Sequence, residues 1–138
     1  MRILAVDPGE KRIGIAVSDP TATIASPLTI LQHVSRAVDA AMIADLAIHN
    51  QVGLIVIGKS QDEDGQPTPM SRRCDRLVEA IQEQCNIPIT IWDESFSTQM
   101  ARQARIEMGV KRNRRSGHLD DLAATVILQS YLDTEVKK

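Results

Sequence analysis

Apolar positions recur along the chain with two different periods, and the elements follow from where one gives way to the other. Arg2-Ile3-Leu4-Ala5-Val6-Asp7 is apolar on both faces until the aspartate, the pattern of a buried central strand. Pro8-Gly9-Glu10 is turn chemistry, and Arg12 to Ser18 reads as a second strand; so short a connection makes the pair antiparallel. A third strand is expected over Ala22 to Leu31, with Pro27 confining it to a sheet edge. From Ser35 to Gln51 the period becomes helical, with Ser35 as N-cap and Val38, Ala41, Met42 and Leu46 as the apolar stripe. Leu54-Ile55-Val56-Ile57, closed by Gly58, is the short unbroken run of an interior parallel strand.

The second half continues the alternation. Lys59 to Pro69 is a polar loop, and Ser71 is placed to cap a helix running to about Cys85. Pro88 to Trp92 is the next strand and delivers Asp93 and Glu94 at its carboxyl end. Ser95 or Ser97 opens a helix to Met108, and Gly109 to Gly117 is a basic loop. The last helix starts near His118 with the stripe Leu119, Leu122, Ala123, Val126 and Ile127. Strands in a meander followed by alternating helix and strand predict a mixed sheet with helices packed on it, in one α/β domain over residues 1–138.

Composition narrows the function classes. At 138 residues and 43% apolar the chain supports a packed core rather than disorder. The N-terminal apolar run ends at Asp7, too short for a signal-peptide core, and no run reaches the length of a membrane helix. The expectation is a soluble, cytoplasmic protein without a membrane partner, as a monomer or homodimer. Trp92, Phe96 and Tyr131 are the only aromatic residues, too few for a platform of rings that stacks single-stranded bases. Cys74 and Cys85 form neither a disulfide framework nor a zinc pattern. They share a helical face with Leu77, Val78 and Ile81 and lie about 16 Å apart along it, so they read as core-filling thiols.

Candidate chemistry lies with the acids. Asp7 and Glu94 both fall at the carboxyl ends of apolar strands, where open α/β sheets gather their sites. Taken alone, Asp7 could simply bond the Pro-Gly turn, and Asp93-Glu94 could face the positive end of the next helix. Asp120-Asp121 opens the last helix; Asp120 aligns with Ala124, Ile127 and Tyr131, whereas Asp121 aligns with Thr125 and Leu128, the side expected to be more exposed. Three carboxylates converging from these elements would need a compensating charge, and oxygen donors without a Cys or His set favour Mg²⁺ or Mn²⁺ over zinc. Two such ions could clamp a phosphodiester for attack by water.

A net charge of −2 hides an asymmetry. Arg102, Arg105, Lys111, Arg112, Arg114 and Arg115 put six of the sixteen basic residues in one short stretch, against the single acid Glu107. That stretch leads into the helix bearing Asp120, so it can hold phosphates beside the acids, with Lys11 and Arg12 as the opposite wall. His118 reads as a helix-start surface histidine, and Ser97 and Thr98 as caps.

Three motifs together resemble the YqgF (RuvX-type) nucleases of the RNase H-like superfamily. They are V-D-P-G-x-K-R-I-G-I-A-V-S-D from Val6 to Asp19, D-E-S-F-S-T from Asp93 to Thr98, and L-D-D-L-A-A-T-V-I-L-Q-S-Y-L from Leu119 to Leu132. Proteins of that family are described as pre-16S rRNA nucleases or Holliday junction resolvases. The resemblance implies a five-stranded mixed sheet of order 3-2-1-4-5, Asp7, Glu94 and Asp120 as catalytic metal ligands, and structured RNA or branched DNA as partner. The chain departs from the family pattern at Ser95, where an arginine is usual, and after Gly58-Lys59-Ser60, where Asp62-Glu63-Asp64 makes the loop acidic. Two other classes remain: a phosphate-binding ATPase-like domain, for which the chain is short, and a nucleic-acid-binding module without catalysis, for which three acids are poor binding physics.

Overall fold

The computed structural model describes residues 1–59, 68–93 and 119–136, with side chains in the last stretch from Leu122 onward. Five strands form one sheet: β1 (Arg2–Pro8), β2 (Arg12–Ser18), β3 (Ala25–Gln32), β4 (Val52–Lys59) and β5 (Ile89–Asp93). Their order is β3-β2-β1-β4-β5, as expected. β1 pairs antiparallel with β2 and parallel with β4, and β4 pairs parallel with β5. The carboxyl ends of β1, β4 and β5 therefore share one edge of the sheet. Among the described residues the helices are α1 (Arg36–His49), α2 (Pro69–Gln84) and α3 (Leu119–Tyr131), the last followed by a π-helical turn over Leu132–Val136. No helix of the described residues is long and apolar enough to cross a membrane. The expected helix to Met108 and the loop over 109–117 lie outside the described residues.

Strand alternation sends β1 side chains into two cores. Leu4 and Val6 join Ile13, Ile15, Ile55 and Ile57 under α1 and α2, with Ala40, Ile43, Cys74, Leu77 and Ile81 from the helices. Ile3 and Ala5 face the other way, with Ala16 and Val56, and receive Ala124, Ile127, Leu128 and Leu132 from α3 and its extension. The small Ala5 and Ala16 let α3 approach the sheet closely. Cys74 is buried and Cys85 half-buried against the first core, in line with their reading as packing thiols.

Three local expectations need correction. The first concerns α1, which buries Asp39, Ala40, Ile43, Ala44 and Ala47, while Val38 and Met42 are 41% and 39% exposed. The buried row is rotated from the expected stripe because alanines allow close packing, and because Asp39 is tied to the segment before the helix. Second, Thr68, not Ser71, caps α2: its hydroxyl accepts from Ser71 N at 3.0 Å, and Ser71 Oγ accepts from Thr68 N at 2.8 Å. Pro69 is pre-set for the first helical turn and pushes Thr68 into extended backbone, so the helix starts earlier. Third, β3 begins at Ala25 rather than Ala22. The preceding residues close a loop in which Asp19 Oδ1 accepts from Thr23 N and Ile24 N at 2.8 and 2.9 Å, and Ala22 takes a left-handed φ of 56°. Pro27 sits on the edge strand, and the register slips there: Ile15 pairs with Thr29 and Ala16 with Pro27, leaving Leu28 as a bulge.

Candidate functional site

Asp7 is the penultimate residue of β1 and is half-buried. By alternation with Ile3 and Ala5 it lies on the α3 face of the sheet. Its antiparallel partner on β2 is Gly14. On the other side Val6 pairs with Ile57, which Gly58 follows. Both strands flanking the aspartate therefore present glycine near its level. The signal was present in the sequence, as glycines interrupting two apolar runs, but only the register brings them beside Asp7.

The turn after Asp7 is fixed by a close backbone approach. A Cβ on Gly9 would lie 2.5 Å from the Arg12 carbonyl oxygen, so a larger residue there requires the turn to move. Lys11 and Arg12, just beyond, are both exposed. The Lys11 carbonyl accepts from His33 N at 2.9 Å, which ties the turn to the segment entering α1.

Asp93 ends β5 beside Lys59 of β4. Trp92 packs into the α3 core, so Asp93 belongs to the opposite face, the one on which Lys59 Nζ donates to Asp75 of α2 at 2.9 Å. Of the adjacent pair Asp93-Glu94, the described acid thus turns away from the face of Asp7. Glu94 lies outside the described residues, as do Lys111, Arg112, Arg114, Arg115, His118 and the acidic 62–64 segment.

Two tethers set the roll of α3 on the sheet. Ser130 Oγ accepts from Trp92 Nε1 at 3.0 Å, and Tyr131 meets the Trp92 ring edge-to-face at 5.4 Å. Burial, with a smaller contribution from Glu135, pushes the Tyr131 phenol up. On the other flank Gln129 accepts from Ala25 N at 3.0 Å and donates to the Thr23 carbonyl at 3.1 Å. One side of α3 is thereby turned to β5 and the other to β3. The helix carries Asp120 and Asp121 in its first turn. Three turns later, in nearly the same angular positions, come Tyr131 on the β5 side and Leu132 in the core. Leu128, in the Asp121 row, is fully buried, and the side chains of Asp120 and Asp121 lie outside the described set. Along the described part of the helix, the row of Tyr131 meets β5 and that of Gln129 meets β3.

Among the described residues no group of three His, Cys, Asp or Glu side chains is close enough to hold a metal ion. That group excludes Glu94 and the Asp120 side chain, which lie outside the described set.

Comparison with known proteins places this architecture. The RuvX model, described as Holliday junction resolvase, matches residues 1–134. A protein of Thermoanaerobacter pseudethanolicus named "Putative pre-16S rRNA nuclease" is 37% identical over 139 residues, covering 100% of both chains. A Syntrophomonas wolfei protein of the same name is 38% identical, covering 96% of this chain and 94% of its own. The fold is also that of Thermus thermophilus RuvC, solved with a Holliday junction substrate, at a TM-score of 0.62 and 15% identity over 98% of this chain and 96% of that one. Fowlpox virus Holliday junction resolvase superposes at a TM-score of 0.57 and 19% identity, covering 96% and 99%. With its sheet order, its three motifs and a match spanning almost its whole length, the chain belongs to the RuvX (YqgF) family of RNase H-like proteins.

Proposed function

We propose that residues 1–138 act as one RNase H-like nuclease domain that hydrolyses phosphodiester bonds in pre-16S rRNA 5′-end processing, in the cytoplasm. Full-length relatives bearing that name support the substrate. The single observation that carries the chemistry is Asp7: a carboxylate at the end of the central strand, on the α3 face, with glycine at its level on both sides.

The donors fit a hard divalent cation. Asp7, Glu94 and Asp120 offer oxygen only, and the register sets Gly14 and Gly58, which carry no side chain, at the level of Asp7. Two ions, Mg²⁺ or Mn²⁺, would supply Lewis-acid stabilisation of the charge that builds on the phosphoryl oxygens. Asp7, from the sheet, and Asp120, from α3, would hold them. Of the pair Asp93-Glu94, Asp93 turns to the α2 face, which leaves Glu94 as the acid for the site. Lys11, Arg12, Lys111, Arg112, Arg114 and Arg115 bind backbone phosphates and set the register of the strand without reading its sequence.

The family description favours a second reading, resolution of branched DNA. A nuclease assay decides between them. A helical RNA carrying a 5′ precursor extension should be cut in Mn²⁺, spared in EDTA, and cut faster than a four-way DNA junction. Faster cleavage of the junction would establish the second reading; no cleavage of either substrate in Mn²⁺ would overturn both.

A further inference from the structure

Behind the Asp7 turn, on the face opposite α3, lies a cleft of about 320 Å³ that the sequence did not announce. Pro8, Gly9 and Glu10 form its rim, His33 and Arg36 come from the start of α1, and Arg73 comes from α2. Asp39, only 3% exposed, forms part of the lining, and both its oxygens already have hydrogen-bond partners. One carboxylate oxygen accepts from Val34 N at 3.0 Å, and the other pairs with His33 Nδ1. The two arginines differ in this respect. Among the described residues neither Arg36 nor Arg73 has a carboxylate partner, and the bond Arg73 makes is to the Met70 sulfur at 3.5 Å.

Arg36 and Arg73, from different helices, line one concavity together with Glu10 and the hydrogen-bonded Asp39, and low-dielectric walls there strengthen the field of the two arginines that no carboxylate of the described residues pairs. Guanidinium matches phosphate oxygens in a bidentate manner, so the chemistry that satisfies both is a phosphate group. The volume is at the small end of ligand sites, suited to a sugar-phosphate unit rather than a large apolar molecule. The rim supplies the connection: Pro8 and Gly9 are the two residues that follow Asp7. A strand whose scissile phosphate lies at Asp7 passes over this rim on its way out of the site.

We propose that the Arg36–Arg73 cleft is a second phosphate subsite, binding the backbone of the substrate strand beyond the bond that is cut. This rests on the nuclease reading and extends it to the opposite face of the sheet. Glu10, exposed on the rim, is an opposing charge beside the buried Asp39 and weakens the subsite.

The test measures binding of a 5′-extended RNA stem-loop by fluorescence anisotropy across a salt series in Mg²⁺, with Asp7→Asn in every protein so that the RNA stays intact. Arg36→Gln/Arg73→Gln should bind at least about tenfold more weakly, with a log K against log salt slope shallower by about one unit. Glu10→Gln should bind several-fold more tightly, a gain that a merely structural role for the turn would not give. Thermal melts establish that the variants fold. A double variant with unchanged affinity and slope would overturn the subsite while leaving the nuclease reading intact. Absence of RNA binding by the protein with Asp7 intact, measured in Ca²⁺ in place of Mg²⁺, would overturn both. Displacement of the RNA by micromolar adenosine monophosphate would show that the arginines serve a free nucleotide, and would overturn the substrate-strand assignment.

Discussion

The indole N–H of Trp92 donates to Ser130 Oγ at 3.0 Å, joining the strand that ends at Asp93 to the helix that begins at Leu119. Ten residues separate Ser130 from Asp120, so this bond and the Trp92–Tyr131 edge contact fix how the first turn of α3 is presented to the strand ends.

Trp92→Phe keeps a ring in the core but leaves the buried Ser130 hydroxyl without its donor. The expected cost is about 1–2 kcal/mol, or a fall in Tm of roughly 3–6 °C. Because α3 loses its orientation, kcat should fall more than KM rises. A cycle with Ser130→Ala should show a coupling of about 0.5 kcal/mol or more. Additive effects would mean that the bond does not hold the helix.

The adjacent acids of α3 provide a sharper discrimination. Neighbouring helical positions are about 100° apart and cannot address the same site equally. Asp120→Asn should lower single-turnover cleavage in Mn²⁺ by orders of magnitude, and Asp121→Asn by a few-fold at most. The reverse ranking would mean that the roll read from Trp92 and Gln129 points the wrong row at the site.

Much of this was legible in the chain. The sheet order followed from the motifs, and the apolar runs with their turns located all five strands. Pro27 placed β3 on the edge for a reason intrinsic to proline, its missing N–H. What periodicity could not supply was helix roll. On α1 the large residues Val38 and Met42 looked like the buried stripe, yet the alanine row with Asp39 faces the sheet, because closeness of approach and the Asp39–His33 pair outweigh side-chain size. On α3 the direction of each helix row came from the bonds of Ser130 and Gln129, and hydrogen-bond partners are invisible to a hydrophobicity pattern. The cleft at Arg36 and Arg73 was equally hidden, since it joins two helices through the turn after β1.

Asp19, the last residue of the first motif, serves the loop that feeds β3. Bonds from Ile24 N, from the Thr21 hydroxyl and from Thr23 N hold its carboxyl well below the usual carboxylate range. A depressed folded-state pKa contributes stability that is present above the unfolded value of 3.8 and is lost as pH falls through the folded value. Wild type should therefore melt above Asp19→Asn at pH 5 to 7, with the gap narrowing as the pH is lowered below about 4. A gap that stays constant into acid would assign the difference to something other than the carboxylate.

The most direct test is on Asp7 itself. Mn²⁺ should bind the wild type with heat measurable by titration calorimetry and raise its Tm by mass action. Asp7→Asn should fold, melt at or above the wild-type temperature without metal because carboxylate repulsion is relieved, and show neither the heat nor the Mn²⁺-induced rise. Equal Mn²⁺ binding and an equal rise in Tm for the two proteins would contradict the placement of the catalytic metal at the end of the central strand.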